Sequence, residues 1–195
     1  MENPSFIGIY DNVLSHEQCQ KMITKFEDSP KQKGQFVNYN GPQIDPSIKS
    51  SLEPKKSCKF SNEDLYARTM KQPLIKCIDR YYNEYQEGLK VLSHWTVDDA
   101  YTFKKFTGKN DGYKKWHIEH GLGKLRRVLA WSFYLNDACG TDFKFYPTVE
   151  AKEGRCVIFP AYFTHVHKSA ENLSTKYLVS GWLEYITPQE TPQRF

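Results

Sequence analysis

The spacing of apolar positions changes character near residue 95. Ahead of that point it follows a helical period. Ser15 followed by Gln18 has the form of a capping box, and Cys19, Met22, Ile23 and Phe26 then recur on one side. Helical character returns near Asn62. Pro73 is placed to start a new turn, since a proline at the first helical position gives up a hydrogen bond that would go unmade anyway. Leu74, Cys77, Ile78, Tyr81, Tyr82 and Tyr85 form a stripe, which reads as a face packed on a sheet. Between about residues 30 and 60, Pro, Gly, Ser and Asn break any period, and a long, partly mobile loop is expected.

Beyond residue 95 the pattern is one of short strands. Trp95 to Phe106, Arg127 to Leu135, Thr141 to Tyr146, Arg155 to Phe159 and Lys176 to Tyr185 are the predicted segments. Turn-forming residues separate them: Gly108-Lys109-Asn110-Asp111-Gly112, Asn136-Asp137 and Glu153-Gly154. Helices followed by a run of strands predict an α+β domain, a curled double sheet braced by N-terminal helices. The 195 residues suffice for one core. The expectation is a single domain over 1–195, with helical support over about 1–94 and a β core over about 95–186.

Composition and charge sharpen this picture. Aromatic residues make up 15% of the chain, which suits strands and pocket walls. Net charge is +4, a mild bias toward anionic partners that gives no reason to expect nucleic-acid binding. Lys124-Leu125-Arg126-Arg127 is the densest basic cluster and reads as a solvated loop or strand start. The five Cys form no CxxC pair, so neither a disulfide framework nor a zinc ribbon is indicated, and reduced thiols in the cytoplasm are expected. The N-terminus lacks the basic-then-apolar order of a signal peptide, and no apolar run reaches the roughly 18 residues that would span a membrane.

The chemistry concentrates in two places. In Trp116-His117-Ile118-Glu119, strand alternation would project His117 and Glu119 to one face, supplying two ligands of a 2-His-1-carboxylate triad. The third must come from downstream, where His165 and His167 form another i, i+2 pair; from the residues alone both remain open. Nine residues after His167, Lys176 opens a segment in which Lys176, Leu178, Ser180 and Trp182 share a face. A cation at the end of an aromatic-lined groove could pair with the distal carboxylate of a keto diacid. Each piece alone has an ordinary structural explanation; their order along the chain is far more specific.

That order resembles the prolyl 4-hydroxylase-like branch of the Fe(II)/2-oxoglutarate dioxygenases, in particular short single-domain members from bacteriophages and bacteria. The resemblance is carried by Gly112 to Glu119, Arg127 to Asp137, Gly140-Thr141-Asp142-Phe143, Gly154 to Pro160 and His167 to Trp182, and covers about residues 97–186. It implies a double-stranded β-helix, a jelly-roll or cupin-like barrel. It also implies consumption of 2-oxoglutarate and O2 to give succinate, carbon dioxide and a hydroxylated product, with ascorbate a further candidate cofactor. Lys168 after His167 matches the family's His-Arg or His-Lys pair, so the implied iron ligands are His117, Glu119 and His167. Lys176 is the implied co-substrate residue. Tyr101 and Tyr113 stand where the family places a Tyr that bonds 2-oxoglutarate, and Trp182 is expected to line the pocket. His120 is expected to face away.

Two departures stand out. Glu119 replaces the usual Asp, as in some relatives, and the interval from His167 to Lys176 is one residue short. The implied substrate is a peptidyl proline on a protein, viral or host, with a free amino acid or other small molecule as runner-up. A catalytically silent metal-binding module and a zinc hydrolase using His117, Glu119 and His120 are the competing classes; the latter lacks HExxH spacing.

Overall fold

The computed structural model describes residues 4–186 apart from 39, 62, 110, 122 and 172. Strand β1 (Gly8–Tyr10) leads into helix α1 (His16–Glu27). Six short strands follow: β2 (Lys31–Lys33), β3 (Phe36–Asn38), β4 (Gly41–Gln43), β5 (Lys49–Ser50), β6 (Leu52–Pro54) and β7 (Cys58–Lys59). Helix α2 (Leu65–Leu89) then gives way to β8 (Trp95–Phe106), β9 (Gly112–Tyr113), β10 (Arg127–Tyr134) and β11 (Ala138–Phe143). The chain closes with β12 (Val149–Ala151), β13 (Cys156–Pro160), β14 (His167–Ser169) and β15 (Lys176–Tyr185). Among the described residues no helix is long and apolar enough to cross a membrane.

The capping box at α1 is present: Gln18 N donates to Ser15 Oγ at 3.2 Å and Ser15 N donates to Gln18 Oε1 at 2.8 Å. Cys19, Met22 and Phe26 are buried as the period requires. Helix α2 differs from expectation. It starts at an Asp64 cap, whose carboxylate accepts from Tyr66 N and Ala67 N, and runs through Pro73 as an interior residue. Burial of Met70, Leu74 and Cys77 on both sides of Pro73 outweighs the one backbone bond it removes. Asn62 lies outside the described residues.

The main sheet is antiparallel, in the order β1-β13-β10-β15-β8-β6-β2, with β7 also pairing with β8. Alternation gives it two different faces. Tyr101, Phe103, Trp131, Phe133, Val179 and Leu183 look toward α1 and α2 and build the larger core. On the other face the register sets Thr102, Ser180 and Ser132 in one row, and Lys104, Leu178 and Tyr134 in the next. A second sheet, β12-β11-β14, covers that face. A smaller core of Ala130, Tyr134, Phe143, Val149, Val157 and Phe159 lies between the two sheets. This is the expected curled double sheet, the two layers of a double-stranded β-helix.

Two glycines permit the close approaches. A Cβ on Gly181 would lie 2.4 Å from Trp131 Cζ2, and one on Gly140 would lie 1.7 Å from the Val149 carbonyl oxygen. The segment expected as a loop is instead strands. β2 pairs with β6, β3 with β4, and β5 with β9, while β6 and β7 attach to β8. These pairings satisfy backbone groups that an edge leaves open, and so need no hydrophobic period in the sequence.

Phe103 sits at the centre of the larger core, stacked on Phe26 at 4.5 Å between centroids and tilted against Tyr66 at 5.1 Å. Phe103→Ala is expected to lower unfolding free energy by about 3–5 kcal/mol in urea titration.

Candidate active site

His117 and His167 are brought together by the backbone. They form an isolated antiparallel bridge in which each N–H donates to the other's carbonyl at 3.0 Å. Glu119 is held differently from the strand alternation expected. Its N–H and that of His120 both donate to the Ala161 carbonyl, at 3.1 and 2.9 Å, so the segment turns after the bridge. The result is convergence: His117 Nε2 is 3.7 Å and His167 Nε2 3.6 Å from Glu119 Oε1, and the three donor atoms lie within 4.8 Å of one another.

The far side of each imidazole decides which nitrogen is available. His117 Nδ1 donates to the Lys115 carbonyl at 3.0 Å and His167 Nδ1 to the His165 carbonyl at 2.9 Å. A carbonyl only accepts, so both protons sit on Nδ1 and both Nε2 lone pairs point inward. His165 is excluded on the same ground: Nδ1 meets Thr164 Oγ1 at 2.9 Å and Nε2 donates to the Ser5 carbonyl at 2.8 Å. Its ring stacks on Tyr146 rather than facing the site.

Burial, then the charge of His167, lower the pKa of His117, favouring its neutral form. Burial alone would raise the Glu119 carboxyl; hydrogen bonding and charge from His117 and His167 in their protonated forms outweigh it and hold the group well below the usual range. Two neutral imidazoles and one carboxylate are the donor set that suits Fe(II), with adjacent positions left for other ligands. The residues fit the ion.

The second carboxylate oxygen is tied to the sheet. Glu119 Oε2 accepts from Trp182 Nε1 at 2.8 Å and from Arg127 Nη1 at 3.1 Å, and the Arg127 guanidinium lies 3.3 Å over the Trp182 ring. Arg127 corrects the expectation of a solvated basic cluster. It is buried, and Lys124 lines the cavity, while Leu125 is the exposed member. Alternation from Ser132 and Ala130 would put Val128 on this face; a β-bulge between Arg127 and Leu129 brings Arg127 there instead, which periodicity does not show.

These groups open into a cavity of about 670 Å³. Tyr113 and Trp182 line it, Tyr113 stacked on the His117 ring at 3.7 Å. Tyr101 is not brought there: its side chain lies in the core behind the sheet, 5.0 Å from the Phe60 ring. His120, expected to face away, lines the cavity with Nδ1 on the Arg127 carbonyl at 3.0 Å. Lys176 lies just behind the wall, its Nζ 5.2 Å over the wall residue Phe106 and donating to the Gly140 carbonyl at 2.9 Å. Burial lowers its pKa to about 8. Lys104, unremarked in the sequence, is on the wall itself. Alternation with Thr102 and Phe106 was the available signal.

Known proteins resemble this chain in part of its sequence and in its fold. Residues 101–184 match the family model of the 2OG-Fe(II) oxygenase superfamily. The cofactors of that superfamily are Fe(II) and 2-oxoglutarate, with O2 as oxidant. No curated protein matches the chain. Among solved structures, it is similar to the viral collagen prolyl hydroxylase of Paramecium Bursaria Chlorella virus-1, solved as a 2OG complex. The TM-score is 0.65 at 14% identity, covering 93% of this chain and 97% of that one. A prolyl hydroxylase from Trichoplax adhaerens, in complex with a hypoxia inducible factor peptide fragment, gives a TM-score of 0.67 at 14% identity over 93% and 84% of the two chains. A prolyl-4-hydroxylase of Pseudomonas putida gives 0.61 at 12% over 93% of each.

Removing the indole donor should loosen Glu119 without unfolding the protein. Trp182→Phe is expected to weaken Fe(II) binding by about 10- to 100-fold in anaerobic calorimetry, the range for outer partners of metal ligands, with its far-UV spectrum unchanged.

Proposed function

We propose that this chain is a prolyl 4-hydroxylase-like dioxygenase that oxidises a C–H bond of a prolyl residue in a peptide or protein. In this reading His117, Glu119 and His167 hold the iron, Lys176 receives the distal carboxylate of 2-oxoglutarate, and Tyr113 and Trp182 wall the bound ligands. The observation that carries it is the convergence of two Nε2 lone pairs and Glu119 Oε1 at the wall of a cavity large enough for co-substrate and substrate side chain. The solved prolyl hydroxylases of similar fold support the choice of substrate. The whole of 1–195 is read as one domain.

The bound iron and keto acid would supply the oxidation. The protein's own residues do the rest. The carbonyls of Lys115 and His165 keep both imidazoles in the ligating tautomer. Trp182 and Arg127 hold the carboxylate in place. Phe143 and Phe159 pack on the His167 ring, at 5.8 and 4.9 Å between centroids, and keep water from that side.

Anaerobic addition of Fe(II) and then 2-oxoglutarate to metal-free protein is expected to produce the weak visible charge-transfer band of a chelated keto acid. His117→Ala and His167→Ala should lose the band and Lys176→Met should raise the 2-oxoglutarate concentration needed for it by at least about tenfold. His165→Ala should keep it. Iron bound with no band in the wild type would sink the reading.

A further inference from the structure

The cavity wall carries five cationic side chains, Lys49, Lys104, Lys124, Arg127 and Lys168, against two carboxylates, Glu53 and Glu119. Three of the cations have anionic partners. Lys49 pairs with Glu53 at 2.5 Å, Arg127 with Glu184 at 3.6 Å as well as with Glu119 at 3.1 Å, and Lys168 with Asp142 at 3.9 Å. Lys104 and Lys124 differ. Lys104 Nζ donates to the neutral Ser180 Oγ at 2.6 Å, and Lys124 Nζ lies 5.6 Å over the Trp182 ring. Among the described residues neither forms an ion pair.

We propose that the substrate of this site presents a carboxylate to Lys104 and Lys124. The inference rests on the dioxygenase reading above and names the chemistry of its substrate.

The two ammonium groups act on one space: Lys124 lowers the proton affinity of Lys104, and Lys49 lowers that of both across the cavity. Burial, then the charge of Lys49, bring Lys104 down to about 8. A partly buried ammonium held by a hydroxyl alone is poorly compensated, and an anion beside it restores the balance. The co-substrate does not provide that anion. Its two negative charges, with Glu119, neutralise an Fe(II) ion and Lys176, leaving Lys104 and Lys124 over. The hydroxyls of Thr102 and Ser132, in one row with Ser180, offer neutral donors beside the cation. The carboxylate can belong to a free amino acid or to an acidic side chain next to a peptidyl proline. The shared chemistry is the same.

The test uses protein loaded anaerobically with Fe(II) and 2-oxoglutarate, titrated by calorimetry with two matched pairs. One is L-proline and L-prolinamide; the other is an acetylated, amidated Gly-Pro-Glu peptide and its Gly-Pro-Gln counterpart. In at least one pair the acid is expected to bind about tenfold or more tightly than the amide, the scale of a charged hydrogen bond. Lys104→Met should erase that preference and Lys104→Arg should retain it, and the responding pair identifies the source of the carboxylate. Equal binding of acid and amide in both pairs, undetectable binding included, overturns the inference while an intact charge-transfer band leaves the dioxygenase reading standing. Loss of the band in Lys104→Met also overturns it, assigning the lysine to the co-substrate. No band in the wild type removes both.

Discussion

The arrangement depends on how one carboxylate is divided between two tasks. Glu119 Oε2 is bound by Trp182 Nε1 and Arg127 Nη1, both carried on neighbouring strands of the main sheet, while Oε1 is left facing the two imidazole Nε2 atoms. A partly buried anion is costly unless it is paired and hydrogen-bonded. Here the sheet meets that cost at one oxygen and leaves the other available. The extra methylene that distinguishes Glu from the usual Asp fits this division. It lets the carboxylate span from the turn after the His117 bridge to the Trp182 indole. The substitution that looked like a departure in the sequence is thus matched to its surroundings.

The sheet that fixes Trp182 and Arg127 is rigid for reasons unconnected with chemistry. Its outer face is closed by Phe26, Tyr66, Phe103 and Tyr177 in mutual ring contact. Its close approach to Trp131 is possible only because residue 181 lacks a Cβ. The pairing of β10 with β15 therefore sets the inner rows without adjustable parts, and the site inherits that rigidity. Gly140 connects the two sheets in a similar way, passing against Val149 and offering its carbonyl to the Lys176 ammonium. The opposite side of the site is looser in kind. His117, Glu119 and His120 hang on four backbone bonds to His167 and Ala161, with Trp116 and Ile118 exposed beside them.

Much of this was legible in the sequence, and the omissions have a common cause. Residues whose role follows from period or spacing were readable: the Ser15 cap, the Cys19-Met22-Phe26 face, the limits of β8 and β15, and the meeting of His117, Glu119 and His167. Residues whose role follows from what lies opposite them were not. His165 and His167 have identical local credentials, and only the Ser5 carbonyl and Thr164 hydroxyl, which take up both nitrogens of His165, separate them. Arg127 looked like part of a solvated run because its partners, Glu119 and Trp182, stand 8 residues before and 55 after it. Tyr101 was misjudged and Lys104 passed over through phase: on β8, Tyr101 shares the helix-facing side with Phe103, and Lys104 shares the cavity side with Thr102. The strands of 31–59 escaped notice because they are held by backbone pairing at the edge of β8, with side chains too polar to show a pattern.

The two lysines of the inner face illustrate what the fold tolerates and why. Lys176 and Lys104 stand on adjacent rows, and burial pulls both down to about 8. Lys176 is the more buried, bonded to a main-chain carbonyl and lying over an aromatic face, and the co-substrate carboxylate assigned to it above would complete its pairing. Lys104 has a hydroxyl partner and open space. If stability alone had shaped this face, an apolar residue at 104 would pack against Leu178 at no electrostatic cost, as at other positions between the sheets. A cation kept where it is poorly compensated is a local disagreement with an otherwise consistent sequence, and such disagreements concentrate at functional surfaces. The same reasoning does not extend to Lys49, which has Glu53 and the Gln35 carbonyl, or to Lys168, which has Asp142. Among the described residues, charge left unpaired inside the cavity is therefore confined to the stretch of wall between Ser180 and Trp182, next to the place where His117, Glu119 and His167 converge.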